Sequence, residues 1–101
     1  MEATIRKDDD HHITLILDGR LDTSVTPQTE KEVEPLFDYK DFEIVIDCSR
    51  LEYIASSGLR ILLTILKRAK ANNSRVVLRG VNEDIKNVFG LTGFISIFEF
   101  E

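Results

Sequence analysis

The spacing of apolar and polar positions changes several times along the chain, and each change predicts a new element. Apolar residues alternate with polar ones around Thr4 and Ile5 and again at Ile13, Leu15 and Leu17, with the polar tract Lys7 to His12 between them. A period of two predicts two strands, and the tract predicts a solvated hairpin turn. Gly19-Arg20-Leu21-Asp22 closes the second strand, and Thr23-Ser24-Val25-Thr26-Pro27 supplies hydroxyls for a helix cap and a proline suited to a first helical turn. That helix is expected to bury Val33, Leu36 and Phe37, to expose Glu30, Glu32 and Glu34, and to end or kink at Pro35, which removes a backbone donor.

Phe42 to Cys48 is short, β-branched and mostly apolar, which predicts a strand covered on both faces, followed by a loop over Ser49 to Ile54. From Ser56-Ser57-Gly58 onward Leu59, Leu62, Leu63, Leu66 and Ala69 recur at helical spacing, and Ile61 and Ile65 widen the stripe enough to leave aliphatics exposed. Asn72-Asn73 stops this helix, and Arg75 to Arg79 makes another short strand. A helix follows from about Asn82, with Glu83 and Asp84 in its first turn and its end at Gly90; Phe94 to Phe100 then alternates as a last, edge-like strand. The order β-β-α-β-α-β-α-β predicts an α/β fold: a mixed, mostly parallel sheet with an N-terminal hairpin and about three helices.

Composition narrows the function classes. The chain of 101 residues fits one domain spanning residues 1–101. A net charge of −5, with Lys67, Arg68 and Lys70 as the main basic group, argues against direct nucleic-acid binding, and those cations suit the end of a helix dipole. No apolar run approaches a membrane span, and the first residues carry charges where a secretion signal needs an apolar stretch, so a cytoplasmic location with no membrane partner is expected. Cys48, the single cysteine, falls within a strand pattern and is expected to be a buried, inert thiol. His11 and His12 are adjacent on extended chain and point to opposite faces, a poor arrangement for one metal ion.

Catalytic machinery is missing from the pattern. The five glycines are scattered, Gly90-Leu91-Thr92-Gly93 lacks the lysine of a phosphate-binding loop, and no serine sits in a nucleophile elbow. The stretch "IASSGLR" at Ile54 to Arg60 is where strand period gives way to helix period. A serine there can cap the helix, yet one cap needs one hydroxyl, and the second serine beside a small glycine leaves room for a partner or a modifying enzyme.

The run "IDCSRLEYIASSGLRILL", with "GRLDTSVTPQ" before it and "GLTGFISIFE" at the end, resembles the STAS domain of the anti-sigma factor antagonist family in order over nearly the whole chain. The resemblance implies a non-catalytic binding protein with no cofactor and no metal. It implies that Ser57, directly before the glycine, is phosphorylated by an anti-sigma factor serine kinase, and that a metal-dependent serine phosphatase resets it. The unmodified form would bind the anti-sigma factor and free a sigma factor. Asp22 matches an acidic position near the phosphorylated serine, Ser56 matches its neighbour and is the expected cap, and the partner surface would comprise Asp22, Ser56, Ser57, Gly58 and Leu59. Many members carry Asp immediately before the serine pair, where this chain has Ala55. Two other readings stand beside this one. The aliphatic stripe around Ile61 and Ile65 and the edge-like tail fit a constitutive scaffold or weak homodimer, and a polar pocket near Ser57 and Asp22 would fit a ligand sensor or small enzyme.

Overall fold

The computed structural model describes the whole chain, Met1–Glu101. Strands β1 (Glu2–Lys7), β2 (His12–Leu21), β3 (Glu43–Ile54), β4 (Arg75–Arg79) and β5 (Glu99–Phe100) form one sheet in the order β1-β2-β3-β4-β5. The first pair is antiparallel and every later pair is parallel. Helices α1 (Thr26–Val33), α2 (Ser56–Ala71) and α3 (Glu83–Thr92) are the crossovers. Parallel strands added one after another in a single direction, through crossovers of one hand, place every helix on the same face. The packing agrees: Val33 of α1, Leu62 and Ile65 of α2, and Ile85 and Phe89 of α3 share one core cluster with Ile13, Leu15, Ile44, Ile46 and Leu78 of the sheet.

The opposite face carries no helix, which corrects the expectation that β3 is covered on both sides. Along β3, Ile44, Ile46 and Cys48 are buried while Glu43, Val45 and Asp47 between them are only half-buried. The strand also runs six residues beyond Cys48, through the segment expected to be a loop. Its pairing with β2 slips twice, between Ile16 and Asp18 and between Gly19 and Arg20, and each slip inserts an extra residue in β3. Two such bulges change the inward spacing from two to three, so that Cys48, Leu51 and Ile54 are the buried positions.

Helix α1 ends at Val33 and passes into a 3-10 turn, Glu34–Asp38, that contains Pro35, as a proline without an N–H requires. Its cap differs from expectation. Val25 occupies that position and no side chain bonds the first turn. The hydroxyls of Ser24 and Thr26 bond Asp22 in the preceding turn instead.

In α2, Ile61 and Ile65 are 4% and 1% exposed, so the broad stripe lies inside the core instead of leaving aliphatics exposed. Helix α3 runs past Gly90 and stops at Gly93, which takes the left-handed conformation at φ 79°. Asn82 caps its start by accepting the Ile85 N–H at 2.9 Å. The tail is not one long strand: Phe94–Ser96 is a 3-10 turn and only Glu99–Phe100 pairs with β4. Phe98 and Phe100 pack their rings 5.6 and 5.5 Å from that of Phe89, so aromatic docking sets the path of the tail.

Candidate functional site

The residues singled out in the sequence converge where β2 and β3 end. The Ala55 N–H donates to the Leu21 carbonyl at 2.9 Å, which ties the last residue of β2 to the residue preceding α2. Beyond Leu21 the chain makes a side-chain-stabilised turn: one carboxylate oxygen of Asp22 accepts the Ser24 N–H at 3.0 Å and the Ser24 hydroxyl at 2.6 Å. The Ser24 hydroxyl, aided by backbone donors, holds the Asp22 carboxyl below the usual carboxylate range against a smaller effect of desolvation.

Ser57 lies in the first turn of α2 and is half-buried, while Ser56 before it is exposed. The Ser57 Oγ is 2.9 Å from the Thr26 Oγ1, and the Thr26 hydroxyl donates to the Asp22 carbonyl at 3.0 Å. Asp22 and Ser57 are therefore neighbours through Thr26 and the Asp22 backbone, with the Asp22 carboxylate engaged by Ser24. Thr26 is the member of the site that sequence reasoning missed. Its contact with Ser57 spans 31 positions, and nothing local to either residue signals it.

Neither serine caps α2. Ala55 is the N-cap, in extended conformation, and no side chain bonds the first turn, which corrects the expected role of Ser56. The first bond within the helix is from the Leu59 N–H to the Ala55 carbonyl at 3.0 Å. The N–H groups of Ser56, Ser57 and Gly58 thus have no acceptor within the helix.

Gly58 and Leu59, expected at the partner surface, are buried, and their role is to support the site from below. A Cβ on Gly58 would fall 2.7 Å from the Leu21 Cγ and 2.9 Å from the Ile54 Cγ1, so the glycine lets the start of α2 settle onto the ends of β2 and β3. Leu59 is 1% exposed within the core. The exposed part of the site is Ser56, the accessible side of Ser57 and the Asp22–Ser24 turn. Beside it the Arg20 guanidinium stacks 4.5 Å from the centre of the Tyr53 ring, a contact that follows from the pairing of these residues across β2 and β3.

None of the molecule's clefts is lined by Ser57 or Asp22. A cleft of about 290 Å³ between α1 and α2 is lined by Val33, Phe37, Arg60 and Ile61 among others. No group of three His, Cys, Asp or Glu side chains is arranged to hold a metal. His12 instead places its Nδ1 2.8 Å from Asp9, and Cys48 is buried, with desolvation and the Asp47 charge pushing its thiol up to about 12. No helix is long and apolar enough to cross a membrane.

Comparison with known proteins places this arrangement. Residues 5–97 match the family described as Mlab, STAS domain. The chain is similar to BtrV of Bordetella bronchiseptica, assigned as an anti-sigma factor antagonist, with 33% identity over 82 residues, covering 81% of this chain and 71% of the relative. It is 25% identical over 95 residues to the anti-sigma-B factor antagonist of Listeria monocytogenes, covering 94% of this chain and 83% of that one. Its fold resembles that of SpoIIAA, an anti-sigma factor antagonist of Bacillus, solved unphosphorylated (TM-score 0.75, 17% identity, 99% and 87% of the two chains) and phosphorylated (TM-score 0.74, 18% identity, 99% and 91%). With a family match over almost the whole sequence and a relative at this level of identity, the chain belongs to the STAS domain family of anti-sigma factor antagonists, whose members are binding regulators.

Proposed function

We propose that this protein is a phospho-switched anti-sigma factor antagonist. Unmodified, it binds an anti-sigma factor that is also a serine kinase and so releases a sigma factor. The kinase phosphorylates Ser57, and a metal-dependent serine phosphatase restores the binding form. The observation that carries this reading is the placement of Ser57: half-buried in the first turn of α2, beside exposed Ser56, on a surface without a cleft. Such a surface suits contact with another protein better than capture of a small molecule, which needs an enclosing pocket. The names of the relatives and the phosphorylated form of SpoIIAA support it.

Phosphate on Ser57 adds about −1.5 to −2 charges at the start of α2, where unbonded N–H groups and the helix dipole favour it within the domain. The same group in a contact surface built around a neutral hydroxyl must be desolvated against the partner. A loss of about 3 kcal/mol is roughly a hundredfold in Kd. The fold is retained and the partner is lost.

The test is capture from source-cell lysate by immobilised wild type, Ser57→Ala, Ser57→Asp and Ser56→Ala, read by mass spectrometry after circular dichroism has shown that all four fold. A kinase-like anti-sigma factor retained by wild type, Ser57→Ala and Ser56→Ala and lost by Ser57→Asp is the expected result. Equal capture by all four would sink the switch and leave a constitutive binder.

A further inference from the structure

We propose that Thr26 is a positioning residue for the switch: it fixes the rotamer and the proton of the Ser57 hydroxyl, and it passes the modification of Ser57 to the start of α1. The inference rests on Ser57 being the modified serine. A carbonyl oxygen only accepts, so in the 3.0 Å contact with the Asp22 carbonyl the Thr26 hydroxyl must donate. Thr26 has one hydroxyl proton, and that contact uses it. The 2.9 Å contact between Ser57 Oγ and Thr26 Oγ1 therefore has Ser57 as donor. The chain of bonds runs in one direction, from Ser57 to Thr26 to the Asp22 carbonyl. Thr26 is buried, so water does not substitute readily for either bond.

Two consequences follow. The Ser57 side chain is held in one rotamer with its proton turned inward toward α1 and its remaining lone pairs turned away. Phosphorylation then reverses the contact. When a kinase transfers the γ-phosphoryl group of a nucleoside triphosphate, the Oγ–P bond forms, the bond to the β-phosphate oxygen breaks to leave the diphosphate, and the hydroxyl proton passes to the kinase's base. The esterified Oγ has no proton to give. Thr26 regains a partner by turning its own proton from the Asp22 carbonyl to a phosphate oxygen, while that carbonyl keeps the Val25 N–H at 3.3 Å. Because Thr26 is the first residue of α1 and Asp22 follows β2, the exchange is felt in the turn between them as well as on α2.

The alternative is a threonine that serves only the turn preceding its own helix, with an incidental neighbour. Nuclear magnetic resonance on wild type, Thr26→Ser, Thr26→Val and Thr26→Ala separates the two. Three-bond couplings of Ser57 in the unmodified proteins are expected to report one rotamer in wild type and Thr26→Ser, and averaging in Thr26→Val and Thr26→Ala. With phosphoserine installed at position 57 during translation, the ³¹P titration is expected to move up by about half a pH unit in the valine and alanine variants, where the dianion has lost a donor, and to return in Thr26→Ser. If either readout is the same in the valine and alanine variants as in wild type, Thr26 is not a positioning residue. Should the valine variant fail to fold, the alanine variant decides. Neither readout uses a kinase or a partner, so this test and the capture experiment fail independently.

Discussion

One substitution, made at two positions, separates packing from surface function. Gly58 in α2 and Gly90 in α3 are both helical and neither needs a positive φ, so alanine fits the backbone at each. In a helix, replacing glycine by alanine stabilises by about 0.5–1 kcal/mol. At Gly90 nothing lies within 4 Å of the added Cβ, and that gain should be realised. At Gly58 the Cβ would meet the Leu21 Cγ at 2.7 Å, the Leu21 Cδ2 at 2.9 Å and the Ile54 Cγ1 at 2.9 Å. Leu21 and Ile54 are 0% and 3% exposed, so neither can swing into solvent, and overpacking of this kind costs about 1–3 kcal/mol. The clash exceeds the helix gain, and a net loss of about 1 kcal/mol is expected for Gly58→Ala.

Thermal unfolding followed by circular dichroism reads the difference directly. At about 4–8 °C per kcal/mol for a domain of this size, Gly58→Ala should lower Tm and Gly90→Ala should raise it. A double-mutant cycle locates the cause: in a Leu21→Ala background two of the three close contacts are gone and only the Ile54 Cγ1 remains, so Gly58→Ala should cost less than it does in wild type. If Gly58→Ala instead raises Tm in the wild-type background, the close approach of α2 to β2 and β3 is not what requires glycine. Gly58 would then have to be explained by the partner surface after all.

Other expectations follow from the same geometry. Ala55→Asp should raise the stability of the unmodified protein by about 1 kcal/mol, because the residue already has N-cap geometry and lacks only an acceptor; an unchanged Tm would refute this. The His12 imidazole, hydrogen-bonded to Asp9, should titrate above 6.5 by NMR and fall back in Asp9→Asn. Since that folded-state pKa is raised, the contribution of the pair is present below pH 6.5 for as long as Asp9 stays ionised, and is lost as pH rises through the folded value. Cys48, with its thiol pushed up to about 12 from 9.0, should resist a thiol reagent in the native protein and react on unfolding, and stability should decline as pH rises above about 9. Rapid native labelling would show that the strand around it opens.

The parts of the fold that were legible in the sequence are those set by local rules. Pro35 ends a helix because it has no N–H, and the polar tract before His12 makes a hairpin because its residues favour water. The second half of β3 was hidden for an equally local reason: two bulges turn the inward spacing from two to three, and Cys48, Leu51 and Ile54 then no longer read as a strand. Gly90 looked like a helix stop because of its residue type. The stop is Gly93, where the chain takes a left-handed conformation, and residue type alone does not separate these two glycines three positions apart. At the site the serine pair and Asp22 were visible as a motif, whereas the bond from Ser57 to Thr26 exists only because α1 and α2 pack against each other. The burial of Ile61 and Ile65 has the same origin: α1 and the turn after it cover a flank of α2 that helical periodicity alone leaves open.

The alanine at the N-cap of α2 also bears on how the proposed switch would work. An aspartate at position 55 would accept from the Ser57 or Gly58 N–H and place a negative charge at the start of α2. Ala55 does neither, so the N–H groups of Ser56, Ser57 and Gly58 are left to whatever anion arrives. A phosphate on Ser57 then meets no competing carboxylate at the cap, and the nearest acidic side chain in the site, Asp22, has its carboxylate turned to Ser24. The unmodified helix gives up the stabilisation a capping side chain would supply, and under the proposed switch a phosphate on Ser57 would supply it instead. Modification would therefore leave the fold at least as stable as before while altering the exposed surface around Ser56 and Ser57, which is the separation of folding from binding that a partner switch requires.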